Sequence, residues 1–258
     1  MRELDTPPVE RDSTRARQAA APDDRREGDP MAEVCRTALV TGGNRGIGYA
    51  VAALLHARGH RVIVAARNGA EARTAAERLG DGARGATVDV TDPEAVAKLR
   101  AAVGAVDILV NNAGVQLDWG EQPTGVDLAL VDRTLEVNLL GAWRMAQTFV
   151  PDMVRGAWGR VVNISSGTAS FALGLPGACP AYSVSKASLN ALTVLLARET
   201  EGTGVLVNAI NPGLVRSRMR PDAEQSPRQA AEHIVRAATL PDDGPSGAFL
   251  RRDAVIGW

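Results

Sequence analysis

Two side chains able to move a proton sit four residues apart in "PAYSVSKASLNAL", residues 180–192: Tyr182 and Lys186. On a helix, an i, i+4 pair lies one side chain above the other, so this spacing sets a phenol beside an ammonium. A free phenol, with a pKa of about 10, exchanges its proton poorly at neutral pH. A neighbouring cation favours the phenolate, and a place in the first turn after Pro180 adds the helix dipole, so both are expected to lower that value. Such a group protonates a carbonyl oxygen or, in reverse, takes a proton from an alcohol.

A second stretch, "TGGNRGIG" at 41–48, is suited to a phosphate. Gly42 permits a tight turn, Gly46 lets backbone N–H groups approach a pyrophosphate, and Gly48 lets a helix pack close to a sheet. Asn44, Arg45 and Ile47 fill the turn between them and count among its cofactor contacts. Where a cofactor with a free ribose 2′-OH meets a carboxylate at the end of the second strand, this chain has Arg67. Arg45 and Arg67 together suit a 2′-phosphate, because each guanidinium presents paired N–H donors. The expectation is NADP(H) in preference to NAD(H).

These groups need a scaffold, and the chain is patterned for one. Short Val/Ile/Leu runs ("RTALVTG", "RVIVAAR", "GATVDV", "VDILVNN", "GRVVNISS", "VLVNAINPG", "GAFLR") alternate with Ala-rich helical stretches. Strands without polar alternation are buried on both faces, and regular interleaving with helices means a parallel sheet with right-handed crossovers. The pattern predicts an α/β, doubly wound, Rossmann-type single domain over 33–258, with about seven strands and helices on both faces. One long helix is expected over 128–155 and the Tyr/Lys helix over 181–200.

Composition narrows the class further. The 258 residues are 45% hydrophobic and 23% charged with a formal net charge of −1, which gives no electrostatic reason for nucleic-acid or membrane binding. No apolar run is long enough to span a bilayer. Two distant cysteines, Cys35 and Cys179, suit a reducing cytoplasm, and three scattered histidines lack metal-ligand spacing, so no metal is expected. Residues 1–32 are crowded with charges and proline and are expected to be a disordered tail; a misassigned start at Met31 would explain them equally.

"TGGNRGIG", "NNAG" (111–114), "VNLLG" (137–141), "VNISS" (162–166), "YSVSK" and "NPG" (211–213) follow one another at fitting intervals. In this order they resemble the short-chain dehydrogenase/reductase family in its single-domain branch, from about residue 36 onward. The ending "LPDDGPSGAFLRRDAVIGW" is similar to that of carbonyl-reductase-like members. The resemblance implies a catalytic tetrad. Tyr182 would be the general acid/base, Lys186 its partner and a contact of the nicotinamide ribose, Ser166 (with Ser165 as fallback) the holder of the substrate oxygen, and Asn138 the holder of a relay water. It also implies cofactor contacts at Asp89 and Val90 near the adenine, at Asn111, Ala113 and Gly114 on the adenosine side, and at Pro212, Gly213, Val215 and Ser217 under the nicotinamide.

The reading is an NADPH-dependent reductase of a ketone or aldehyde, or the reverse, acting on a small molecule. Its alternative is a catalytically inactive dinucleotide-binding redox sensor. Residues 167–179 are expected to give an apolar pocket wall, with Trp119 either reaching the pocket or covering the surface. Residues 216–227 are expected to form a lid whose Arg216, Arg218 and Arg220 either meet an anionic substrate or face solvent. A homodimer, a tetramer and a monomer all remain open.

Overall fold

The computed structural model describes residues 34–175, 177–217, 221–252 and 254–258. The expected tail therefore lies outside the described residues, as do Arg218 and Arg220.

Eight strands form one sheet: β1 (Thr37–Thr41), β2 (Arg61–Ala66), β3 (Ala83–Thr87), β4 (Ile108–Asn111), β5 (Gly159–Ile164), β6 (Val205–Ile210), β7 (Phe249–Arg251) and β8 (Ala254–Val255). Their order is β3-β2-β1-β4-β5-β6-β7-β8. All neighbours run parallel except β7 and β8, which pair antiparallel. The Rossmann-type sheet is thus as expected, with one strand more than the seven read from sequence. The addition is a two-residue edge strand, too short to show a hydrophobic pattern. The third strand ends at Thr87, earlier than expected, so Asp89 and Val90 lie just past its C-terminal end.

Among the described residues, seven α-helices connect the strands: α1 (Gly46–Ala57), α2 (Gly69–Glu77), α3 (Pro93–Val103), α4 (Leu128–Leu135), α5 (Ala142–Arg155), α6 (Pro180–Glu199) and α7 (Pro227–Ala238). The long helix expected over 128–155 is α4 and α5 joined by a π-helical turn, Glu136–Gly141, which contains Asn138. Such a turn inserts extra backbone into a helix and is concentrated at functional sites.

Strand side chains divide between two layers. Val40 and Val64 pack with Val51 and Leu55 of α1 and with Ile234 and Val235 of α7. Leu39 and Ile63 pack on the opposite face with Val96 of α3, Phe149 of α5 and Leu189 of α6. Both strand faces are dry, which is why apolar residues dominate β1, β2, β4, β5 and β6 with no polar alternation. Phe149 is fully buried, and truncating such a ring to alanine costs about 3–5 kcal/mol.

Local capping starts most of these helices. Asn68, Asp92, Asp127 and Ser226 cap α2, α3, α4 and α7 from the preceding residue, the last in a capping box with Gln229. Two helices differ. Arg45 before α1 and Cys179 before α6 make no side-chain cap. Both helices begin at the crevice where the chain order reverses between β1 and β4, the usual ligand position in open α/β sheets. Among the described residues, no helix is long and apolar enough to cross a membrane.

Candidate active site

A cleft of about 750 Å³ opens at that crevice, with the glycine turn at one end and Ser166, Tyr182 and Lys186 at the other. In the turn, Gly42 has φ +62° and Gly46 φ +55°, conformations that favour glycine. A Cβ on Gly48 would stand 2.3 Å from the Gly42 carbonyl and 2.5 Å from Asn112 Nδ2, so only glycine fits there. A Cβ on Gly46 would meet nothing, leaving open space in front of the first turn of α1. That turn holds no acidic residue, and its uncapped N–H groups face the cleft. An open, uncapped and acid-free helix N-terminus fits a pyrophosphate. Asn44, Arg45 and Ile47 line the cleft with the three glycines.

Asn112, which sequence reasoning passed over, builds this end. Its Nδ2 donates to the carbonyls of Thr41 and Gly42 at 2.9 and 3.1 Å, while its own N–H donates to Thr41 Oγ1 at 3.0 Å. Asn111, the neighbour expected to touch the cofactor, does not line the cleft. Strand alternation turns it inward, where its amide donates to Asn163 Oδ1 at 2.9 Å across β4 and β5. Ala113 and Gly114 do line the cleft.

At the end expected to take the adenosine, Arg45 and Arg67 are exposed and both line the cleft, as do Asp89 and Val90. Burial pushes the Asp89 carboxyl up, but hydrogen bonds from the Thr91 N–H and hydroxyl, with the Arg67 charge, hold it below its ordinary value. One carboxylate here was not foreseen. Glu71 lines the same end, and its two oxygens accept from the side-chain amides of Asn44 and Asn68.

At the opposite end Tyr182 is partly open to the cleft, which it lines together with Ser166. Ser166 also accepts from the Thr168 N–H and hydroxyl at 3.2 and 3.1 Å. Ser165 is buried and points to the Lys186 carbonyl instead. Lys186 is buried, and its Nζ donates to the Ile164 carbonyl at 2.8 Å, 5.7 Å from the centre of the Tyr182 ring. The expected acidification of the phenol is not what this arrangement produces. Burial pushes Tyr182 up to about 12, outweighing the opposing influence of Ser166, and the electrostatic influence of Cys179 and Asp118 acts with burial. Burial also draws Lys186 down to about 8, and its ammonium is aimed at a carbonyl rather than at the phenol.

Asn138 is 1% exposed, and its amide is fully engaged. Oδ1 accepts from Val115 N–H at 2.8 Å, while Nδ2 donates to the Val115 carbonyl at 2.9 Å and to Ser185 Oγ at 3.0 Å. Its side chain therefore clamps the loop after β4. It does approach the lysine: a Cβ on Gly114 would lie 3.2 Å from Asn138 Oδ1 and 3.5 Å from Lys186 Nζ.

Pro212, Gly213, Val215 and Ser217 line the cleft floor. The expected lid leaves and returns at one bridge, Val215 with Gln225, where Arg216 N–H donates to the Gln225 carbonyl at 2.8 Å. Trp119 lines the cleft while 64% exposed, and Phe171, Leu173 and Leu175 are also exposed. The segment bearing the last three is held from behind: Ser170 Oγ donates to the Gly257 carbonyl and Ala172 N–H to Trp258, whose ring stacks on Phe249.

A doubly wound sheet with a glycine turn at its crevice and a Ser/Tyr/Lys group across the cleft defines a class of oxidoreductase folds, and sequence comparison agrees. The short chain dehydrogenase family model matches residues 36–228. The chain belongs to the short-chain dehydrogenase/reductase family. It is 32% identical over 221 residues to 3-oxoacyl-[acyl-carrier-protein] reductase FabG of Vibrio cholerae, covering 80% of this chain and 84% of that protein. To 3-oxoacyl-[acyl-carrier-protein] reductase MabA of Mycobacterium bovis it is 33% identical over 215 residues, covering 82% of each. A solved short chain dehydrogenase/reductase family protein superposes with a TM-score of 0.77 at 32% identity, over 84% of this chain and 95% of that one.

Proposed function

We propose that this chain reduces a ketone or aldehyde to an alcohol with NADPH, and catalyses the reverse, with Tyr182 as general acid/base. The observation that carries the reading is the gathering of Ser166, Tyr182 and Lys186 at one end of a cleft whose other end is an uncapped, glycine-built helix N-terminus. When bound, a nicotinamide dinucleotide supplies the hydride. Ser166 holds the substrate oxygen, and Tyr182 gives that oxygen its proton. A phenol held near 12 keeps its proton at neutral pH, which suits the reductive direction. Lys186 donates to the Ile164 carbonyl beneath it and, in this reading, meets the nicotinamide ribose.

Arg45 and Arg67 support NADPH over NADH, because Glu71 at the same end is already engaged by two amides. The relatives point to 3-oxoacyl thioesters as the first substrates to try. Both cysteines are free, which supports a reducing cytoplasm as the site of action.

The test is NADPH consumption with a panel of 3-oxoacyl thioesters, simple ketones and aldehydes, using the parent chain and Tyr182→Phe. The variant is expected to lose at least about a hundredfold in kcat, the scale of general acid catalysis, while binding NADPH within twofold. Near-normal turnover by that variant would remove the mechanism. NADPH binding without turnover of any carbonyl by the parent would favour the inactive redox sensor.

A further inference from the structure

Helix α6 carries Tyr182 in its first turn, yet Cys179 before it supplies no side-chain cap. The cap comes from a distant loop. Asp118 Oδ2 accepts the Ala181 N–H at 2.6 Å and the Tyr182 N–H at 3.2 Å. Asp118 is 0% exposed, and its other oxygen, Oδ1, is buried with no hydrogen-bond partner. A buried carboxylate with one bare oxygen is expensive to retain for capping alone, since a serine would satisfy the same N–H groups without a charge.

The loop that carries it is pinned along its length. Gly114 leaves room below Lys186 Nζ, Val115 is clamped by Asn138, and Gly120 N–H donates to the Ala178 carbonyl at 2.8 Å. One short segment therefore passes under the lysine and ends on the backbone of the tyrosine.

The geometry points to Asp118 as a positioning residue for the reaction: its carboxylate fixes the backbone that aims Tyr182 at the cleft and sets the charge under which the phenol gives up its proton. The inference rests on the proposed role of Tyr182. The groups that act on that phenol are Ser166 after β5, Cys179 at the head of α6, Lys186 one turn along α6, and Asp118. Of these, Asp118 brings negative charge from another element, and it acts to keep the phenol protonated.

The experiment compares Asp118→Ala, Asp118→Asn and Tyr182→Phe in the full chain, with acetoacetyl-CoA and NADPH as probes. Rates are read in both directions across pH, NADPH affinity by fluorescence titration and folding by circular dichroism. Asp118→Ala is expected to lower kcat about tenfold or more, with NADPH affinity within twofold. Asp118→Asn keeps an acceptor oxygen and should restore most of kcat, but the pH at which alcohol oxidation is half-maximal should fall by about half a unit or more. The inference is overturned if Asp118→Ala keeps kcat within twofold, if its NADPH affinity falls in step with kcat, or if the Asp118→Asn profile superimposes on the parent's. Retained turnover in Tyr182→Phe would instead overturn the role of Tyr182 itself.

Discussion

The first turns of α1 and α6 meet the same cleft, and neither is capped by the residue before it, yet they are completed in opposite ways. At α1, Arg45 takes the extended N-cap conformation with no side-chain bond to the turn, no acid follows, and Gly46 faces open space. At α6, a buried carboxylate from the loop after β4 occupies the N–H groups. A helix N-terminus attracts one negative group in either case. Left open, it is a place for a phosphate; filled from within, it is a rigid mount for a side chain. Under the proposed function, the difference separates the end that holds a ligand from the end that acts on it.

The largest way to break the contrast is to close the open end sterically. Gly48→Val puts a side chain where even a Cβ would lie 2.3 Å from the Gly42 carbonyl. It should abolish measurable NADPH binding and cost about 1–3 kcal/mol or more of stability, read by titration and thermal unfolding.

Removing the buried amine tests the other end. The folded-state value for Lys186 is about 8 against 10.5 for the free side chain, so below pH 8 the folded protein carries a charge it disfavours. The unfolded chain binds more protons between pH 8 and 10.5, and the stability of the parent should therefore gain from Lys186 as pH rises through that window. Lys186→Met should be more stable than the parent at pH 7 by up to about 3 kcal/mol, less the lost Ile164 hydrogen bond. The gap should narrow towards pH 10.5 in denaturant titrations; a gap constant with pH would refute the assignment.

A subtler change gives the open end the cap it lacks. Arg45→Asp places a carboxylate at the N-cap of α1, where it should stabilise the fold by about 0.5–2 kcal/mol. The same carboxylate occupies the phosphate position, so NADPH affinity should fall at least tenfold while the melting temperature rises. Opposite signs from one substitution would tie the empty cap to the ligand. The smallest effect is expected at the rim: Arg67→Ala should lower the NADPH/NADH preference about three- to tenfold, an exposed guanidinium being partly screened. An unchanged ratio would give the preference to Arg45 alone or to neither arginine.

Much of this molecule could be read in advance because the signals are local. The apolar runs mark strands dry on both faces, and Asp92-Pro93 and Ser226-Pro227 announce α3 and α7 in adjacent residues. The glycines of 42–48 carry their own geometry, so the turn was visible without neighbours. What was misread involves neighbours brought by folding. Asn111 and Asn112 are adjacent and chemically alike, and only the strand's alternation decides that the first binds Asn163 inside the sheet while the second builds the glycine turn. The π-turn around Asn138 lies within a continuous helical pattern and leaves no mark in it. The phenol was expected to be acidified because an i, i+4 lysine is a local feature; burial, which is not local, pushes it up.

The order of residues alone settles the first seven strands and the helices between them apart from the π-turn, the local caps, the glycine turn and the i, i+4 pairing of Tyr182 with Lys186, since these depend mostly on groups close together in sequence. Only the folded chain decides where Lys186 Nζ points, which serine meets the phenol, and that Asp118 finishes a helix whose own leading residue cannot. Those outcomes depend on which distant segments a β-sheet brings together and on how much water they exclude, and neither is encoded in any short stretch of the chain.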